Sequence, residues 1–231
     1  MSKRFGIKKE NGKRGQSYVE LALVIPVLLL LLAGMVELAF FIFTYLTALD
    51  LTREAARFAS SRDYRSYSGE AASVDKCSDA TLDYYNDTAC FFIDPNFNAF
   101  IDIVGSEYSD VTISVFTIQD YNTVSDRWPE VGSAGIDDNM WTLSVDNWSK
   151  DCQGNVVLTE PYFSNAKMES ILSDNTDTSR WKGVVVVELY YCYQQVLNLP
   201  VFSQALPSKF RMHAYSIMPD PEAVPTPTTI E

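Results

Sequence analysis

The sequence predicts an α+β protein in which one long N-terminal helix leads into an antiparallel β-sheet. Residues 21–49 form an apolar run that contains a single charge, Glu37, and a run of that length is typical of a helix. Residues 183–194 (GVVVVELYYCYQ) are β-branched and then aromatic, which is typical of a strand. A helix followed by several strands predicts the α+β class.

The apolar run is long enough to cross a lipid bilayer. At ~1.5 Å per residue it would rise about 43 Å as a helix, which exceeds the ~30 Å hydrocarbon core. A single segment can satisfy its backbone polar groups in lipid only as a helix. A cleaved secretory signal would be shorter and would end in a small-x-small site. A buried helix of a soluble protein would rarely be so long or so rich in leucine.

The charge changes sign along the chain. Residues 1–15 carry six basic groups and one acid, so the net charge of −12 divides into +5 on this segment and −17 on the rest. A basic segment before an apolar run predicts a single-pass membrane protein with a cytoplasmic N-terminus and an extracytoplasmic domain after about Tyr45. The acidic total argues against a nucleic-acid partner.

The junction between the basic segment and the apolar run reads KRGQSYVELALVIP. It resembles the processing site of type IV pilins and of the TadE-like pseudopilins of tight-adherence (Tad, type IVc) pilus systems. The resemblance implies that a prepilin peptidase cuts after Gly15 and that Gln16 becomes the new N-terminus. It also implies that Glu20 sets the register between subunits by meeting the N-terminal amine of a neighbour. Glycine suits such a site because no side chain hinders close approach to the backbone.

The position of Glu20 alone leaves a second interpretation open. A carboxylate at the start of an apolar helix can be an ordinary interfacial charge, solvated by head groups and favoured by the helix dipole. Glu37 is open in a similar way, since it could pair with a neighbouring helix in an assembly or reach the outer interface of the bilayer. Pro26 predicts a kink or a local break in the helix.

The resemblance to the TadE-like family covers residues 12–62 and includes the Ala/Arg-rich segment LTREAARFAS at 51–60. It implies a pilin-like α+β fold and a role as a minor pilin in surface adhesion or secretion. The implied partners are the peptidase, other pilins or pseudopilins, the Tad assembly platform and the membrane. The alternative is a permanently anchored single-pass protein that binds or senses at the surface and never enters a filament.

We expect four parts in the chain: a basic leader at 1–15, the long helix at 16–62, an α+β ectodomain at 63–218 and a disordered Pro/Thr-rich tail at 219–231. Within the ectodomain, the patterns predict a turn-rich stretch at 119–140, helices at 95–105 and 164–172, and strands at 111–118, 140–145, 155–160, 183–194 and 210–217.

Four cysteines fall in the predicted ectodomain: Cys77, Cys90, Cys152 and Cys192. An even count in an oxidising compartment predicts two disulfides, for which three pairings exist. We predict that Cys77 pairs with Cys90, which closes a short loop, and that Cys152 pairs with Cys192. Zinc is the competing interpretation. The sequence disfavours it, because no C-x-x-C pair is present and the only histidine is far away in sequence.

The sequence predicts neither an enzyme nor a cofactor, and no small-molecule substrate is evident. It has no G-x-S-x-G, phosphate-binding glycine loop or H-E-x-x-H motif. His213 falls in a predicted strand, where we expect a surface or half-buried side chain. The S-x-x-K match at 164–167 and the S-D-N match at 173–175 lack a K-T-G element and are interpreted as chance. The acidic residues at 137–138 and 146, with Asn139 and Asn147, could bind calcium, but they lack the spacing of a calcium loop, which favours a solvated turn.

Overall fold

The computed structural model describes residues 13–66, 77, 83–96, 101, 103, 108–120, 122–129, 140–144, 148–174, 182–197 and 207–224, with only the backbone at 13–17. In these residues the helices are α1 (Lys13–Ala59), α2 (Tyr84–Ile93) and α3 (Asn165–Asp174). The strands are β1 (Asp110–Gln119), β2 (Thr123–Trp128), β3 (Trp141–Thr142), β4 (Trp148–Lys150), β5 (Val156–Leu158), β6 (Gly183–Gln194) and β7 (Lys209–Pro219).

The main sheet has the strand order β2-β1-β6-β7, and β3 also pairs with β1. Strands β4 and β5 form a separate two-stranded sheet. Every pairing between the described strands is antiparallel. The predicted α+β class, with a long apolar helix before an antiparallel sheet, is therefore confirmed.

The two faces of β6 serve two different cores. Successive side chains of a strand point to opposite faces, which explains why this strand is apolar at almost every position. The first core lies between the sheet and α1, and includes Val185, Val187 and Leu189 of β6 with Ala214 of β7 and several alanines of the helix. The second core lies under α3, and includes Val184, Val186, Phe116, Phe163, Met168 and Leu172.

Small residues bring the second half of α1 close to the sheet. Ala48, Ala55 and Ala59 recur at helical spacing and are buried against the first core. Arg53 and Arg57 lie on the exposed face and form surface ion pairs with Asp50 and Glu54 one turn away. The helix ends at Ala59, close to the predicted end at residue 62.

The helix predicted at 95–105 is wrong at the positions that the structure describes. Asn96 lies in a turn, and Ile101 and Ile103 have no regular secondary structure; residues 97–100, 102 and 104–105 lie outside the described residues. The helix instead precedes this segment as α2, whose N-terminus is capped by Asp83 accepting from the Asn86 amide at 2.9 Å. It ends before Asp94, because the residue before a proline avoids the helical conformation.

The predicted turn-rich stretch at 119–140 contains the strand β2. Its sequence, TVSDRW, does not alternate because β2 lies at the edge of the sheet and is mostly accessible to solvent. Hydroxyl contacts add to its pairing, including one of 2.7 Å between Thr117 and Ser125. Strand β4 also went unpredicted, because three residues are too few to show a period. The candidate calcium ligands at 137–139, 146 and 147 lie outside the described residues.

The structure contains both predicted disulfides. Cys77 is bonded to Cys90 in α2, and Cys152, in the turn between β4 and β5, is bonded to Cys192 in β6. The second bond ties the small sheet to the central strand of the large one. With all four thiols paired, no cysteine thiolate is left to bind zinc.

The packed structure continues into the segment predicted as a disordered tail. Strand β7 includes Pro219, the Asp220 amide donates to the Gly183 carbonyl at 2.8 Å, and Ala223 is fully buried. A Cβ on Gly183 would lie only 2.2 Å from the carbonyl oxygen of Ala223. The prediction of a tail starting at 219 is therefore wrong for residues 219–224, while 225–231 lie outside the described residues.

We predict that Gly183→Ala lowers the free energy of unfolding by about 2 kcal/mol, because the added methyl group overpacks the contact with Ala223. The same substitution in a chain truncated after Asp220 should be close to neutral, because the clashing residue is gone. Urea denaturation of the detergent-solubilised protein, followed by tryptophan fluorescence, measures both. Equal losses in the two chains would contradict this assignment.

Candidate functional site

The first half of α1 is an exposed apolar surface. Every described side chain from Tyr18 to Leu32 is exposed, and nearly all of them are apolar. A helix that is apolar on all sides is stable only inside a protein or a membrane, and a contiguous surface of this size marks an interaction site. This half of the helix therefore requires a covering that the described part of the chain does not supply.

A membrane is one covering that fits the length and composition of α1. Among the described residues it is the one helix that is long and apolar enough to cross a bilayer, over Tyr18–Ala59, with a mean hydropathy of 2.7 in its most apolar window and none of that window buried. These properties are those of a single-pass membrane anchor.

The predicted processing junction lies at the start of this helix. Helix α1 begins at Lys13, so the bond between Gly15 and Gln16 has helical backbone. A peptidase that grips extended backbone must first unwind this turn, and glycine lowers that cost because it is ~1 kcal/mol less favourable than alanine in a helix. Glu20 is exposed on the helix just after the junction.

The second acid of the helix, Glu37, lies where the sheet first contacts α1. One carboxylate oxygen accepts hydrogen bonds from the Tyr193 hydroxyl and the Val196 amide, both at 2.9 Å. The other oxygen accepts from the Leu197 amide at 2.9 Å. The sequence left two possibilities for Glu37, a contact with a neighbouring helix or a position at the outer interface. Sequence reasoning missed these partners because they lie some 160 residues away and two of them are backbone groups.

Aromatic rings surround this contact on the side of the sheet. The rings of Phe41, Tyr193 and Phe210 lie 5.2–5.4 Å apart, centroid to centroid. Burial and the neighbouring Glu37 carboxylate raise the pKa of the Tyr193 hydroxyl, so the hydroxyl stays protonated and donates to Glu37. We call Glu37 with its three donors the Glu37 clamp.

From Gly34 onward, one stripe of α1 is turned away from solvent. Gly34, Glu37, Phe41, Thr44 and Ala48 are half-buried or buried, and their spacing alternates between three and four residues. That spacing keeps one face of a helix aligned with its neighbour. The opposite face, including Val36, Leu38 and Phe40, stays exposed. The ectodomain therefore leaves an apolar face of α1 free even at the level where it binds.

A second polar cluster joins β6 to β7. Glu188 is buried in the middle of β6, and its carboxylate accepts from the Tyr190 hydroxyl at 2.8 Å and lies 2.8 Å from Nε2 of His213. His213 is half-buried in β7, as predicted. Burial, followed by the Glu188 charge, raises the pKa of Tyr190. The Tyr162 amide donates to the same carboxylate at 3.2 Å, so we interpret the cluster as a structural tie.

The S-x-x-K match also has a structural explanation. The Ser164 hydroxyl accepts from the Lys167 amide at 3.3 Å, which is the bond that an N-cap residue makes to the first turn of a helix. Ser164 therefore caps α3. Within the described ranges, no group of three or more His, Cys, Asp or Glu side chains is placed to hold a metal ion.

The Glu37 clamp predicts a local change in hydrogen exchange. Charge-assisted hydrogen bonds contribute about 1.5–3 kcal/mol each, so Glu37→Ala should speed exchange of the Val196 and Leu197 amides at least tenfold. Exchange of the Val187 amide, inside β6, should change little. Glu54→Ala is the matched control, because Glu54 lies on the exposed face of the same helix. Unchanged protection at 196 and 197 in the Glu37 variant would show that the clamp does not hold this strand end.

Comparison with known proteins bears on the same helix. A search of curated proteins and a search of solved structures each returned no significant match. The family model described as TadE-like protein matches residues 15–57. The match begins at Gly15, runs along the exposed half of α1 and ends inside the half that packs on the sheet. The N-terminal segment of this chain is therefore similar to TadE-like proteins.

Proposed function

We propose that the chain is a minor pilin or pseudopilin of a Tad-type pilus or secretion system, cut after Gly15 and assembled through α1. The observation that carries the proposal is that the family match and the exposed apolar helix begin at the same junction. The TadE-like match begins at the glycine of the processing junction, and from Tyr18 to Leu32 the helix exposes mainly apolar side chains on all sides.

The exposed half of α1 suits both the membrane-bound subunit and the assembled filament. Lipid chains cover it while the protein is in the membrane, and the same segment of neighbouring copies can cover it in a filament. Lipid tails are as apolar as leucine, so association of helices in a membrane depends on close packing and on polar contacts. Pro26 lies inside this segment and cannot donate a backbone hydrogen bond, which allows the helix to adjust to a new packing.

Glu20 supplies the polar contact in this proposal. Cleavage after Gly15 creates a free α-amine on Gln16, and a carboxylate in an apolar environment is stabilised by a partner of opposite charge. Pairing of Glu20 with the amine of a neighbouring chain sets the axial position of one helix against the next. The interaction exists only after cleavage, which couples processing to assembly.

The ectodomain is placed outside the cytoplasm in this proposal. The basic leader favours a cytoplasmic N-terminus, and both disulfides belong to the part of the chain beyond the helix, where an oxidising environment maintains them.

The surface of the ectodomain offers aromatic groups for adhesion. Tyr162 and Tyr215 are exposed, and their rings lie 5.3 Å and 5.4 Å from the His213 ring. Exposed aromatic side chains provide large contact areas at interfaces.

Intact-mass analysis of the membrane-extracted protein tests the proposal. The wild-type chain should begin at Gln16, and Gly15→Ala should retain residues 1–15, because the added methyl group blocks access to the scissile bond. Gly6→Ala is a matched control, since it changes another glycine of the same leader and should leave cleavage intact. A wild-type chain that retains its leader in cells with the peptidase would contradict the proposal and favour a permanently anchored surface protein.

A further inference from the structure

We propose that the end of the ectodomain at the Glu37 clamp lies in the outer lipid interface, with Val196 and Leu197 against the outer leaflet. The inference rests on the proposed function in one respect, since it takes α1 to span the membrane with Glu20 in the inner head-group region. It adds a lipid-contact surface on the ectodomain itself.

The length of the helix between its first two acids matches the thickness of the hydrocarbon core. Glu20 and Glu37 are separated by 17 positions along α1, which corresponds to about 26 Å of helix axis. The hydrocarbon core is ~30 Å thick, and any tilt of the helix shortens its projection further. If Glu20 lies at the inner boundary, Glu37 therefore lies at or just inside the outer boundary, and the strand end bonded to it lies at the same depth.

The hydrogen bonds of Glu37 suit a position at this depth. A carboxylate at that depth is costly unless polar groups satisfy it, and backbone amides at that depth also require partners. The clamp meets both needs, because the amides of Val196 and Leu197 donate to the two oxygens of the same carboxylate. Of the two positions that the sequence allowed for Glu37, against a neighbouring helix or at the outer interface, this geometry favours the interface, because the partners belong to the same chain.

The surface around the clamp is apolar and exposed. Val196 and Leu197 expose 56% and 39% of their surface, and their amides are bonded to Glu37, the α1 residue that stands between the exposed Val36 and Leu38. The exposed strand end and the exposed residues Val36 and Leu38 of α1 therefore lie at the same level along the helix. The Tyr193 ring, and the exposed Tyr45 ring stacked on Phe41, lie at the level where tyrosine is enriched in membrane proteins. The lipid of the outer leaflet is therefore the occupant that this surface fits.

The opposite end of β6 provides an internal reference. The strand runs 12 residues from the clamp back to Gly183, which places its start about 36 Å away. Val224 lies near that end, close to the Asp220–Gly183 hydrogen bond, and exposes 38% of its surface. Val196 and Val224 are thus two exposed valines that lie near opposite ends of β6. The proposal predicts lipid around Val196 and water around Val224.

Spin-label accessibility in lipid vesicles tests the proposal. The full-length chain is reconstituted in phosphatidylcholine–phosphatidylglycerol vesicles, with a nitroxide attached to a ketone amino acid so that the cystines stay intact. Labels at Val196, Val224 and, in the helix, Leu28 are compared for collision with oxygen, which concentrates in lipid, and with a water-soluble nickel complex. Circular dichroism verifies that each labelled chain is folded, and a label at Leu197 provides a second reading of the same end.

The proposal predicts that the oxygen-to-nickel ratio at Val196 and Leu197 exceeds the ratio at Val224 several-fold and approaches that at Leu28. Ratios at 196 and 197 equal to that at Val224, with Leu28 in lipid, would overturn the inference and leave the membrane anchor intact. A nickel-accessible Leu28 would overturn the anchor as well. Spin–spin broadening at 196 that grows with the protein-to-lipid ratio would assign the surface to a second copy and also overturn the inference.

Discussion

The hydrogen bonds from Tyr193, Val196 and Leu197 to the Glu37 carboxylate determine where the ectodomain begins on the long helix. From Tyr18 to Leu32 the side chains of α1 are exposed on all sides; from Glu37 onward, one stripe of the helix packs on β6 and β7. A charge in an apolar helix is costly unless polar groups satisfy it. Here the charged residue binds the end of the central strand to the helix. The length of free helix, and so its reach into a membrane, follows from this position.

The same helix therefore performs two structural tasks with two kinds of residue. Large aliphatic side chains dominate the free half, where any apolar covering suffices, while alanines dominate the packed half, where close approach to the sheet is needed. The TadE-like match covers both halves. The matched residues of this chain thus include helix surface that packs on the sheet as well as exposed apolar helix surface.

Much of this arrangement could be predicted from the sequence, because strong local patterns specify it. The length of the apolar run predicted α1, the β-branched run predicted β6, and the cysteine count allowed the disulfides to be proposed. The strands β2 and β4 could not be predicted, since an edge strand and a three-residue strand carry no clear period. Helix α2 was misplaced because Asp94 and Pro95 suit the end of one helix as well as the start of another.

The clamp itself could not be predicted for a different reason. Its acceptor and its donors are distant in sequence, and two of the donors are backbone amides, which have no signature in the side chains. The tie between Glu188 and His213 went unrecognised in the same way, although the buried acid in an apolar strand was a visible signal. Gly183 shows the reverse case, since the reason for glycine at that position appears only when Ala223 is seen packed against it.

The central claim is that α1 assembles through Glu20 once Gly15 has been cut, and the amount of chain in filaments sheared from cells measures it most directly. Glu20→Gln keeps the shape of the side chain but removes the charge that we propose pairs with the Gln16 amine. The account predicts a chain that is still cleaved, with at least a tenfold lower amount in the filaments, while Glu54→Gln behaves like the wild type. Normal incorporation of the cleaved Glu20→Gln chain would contradict it.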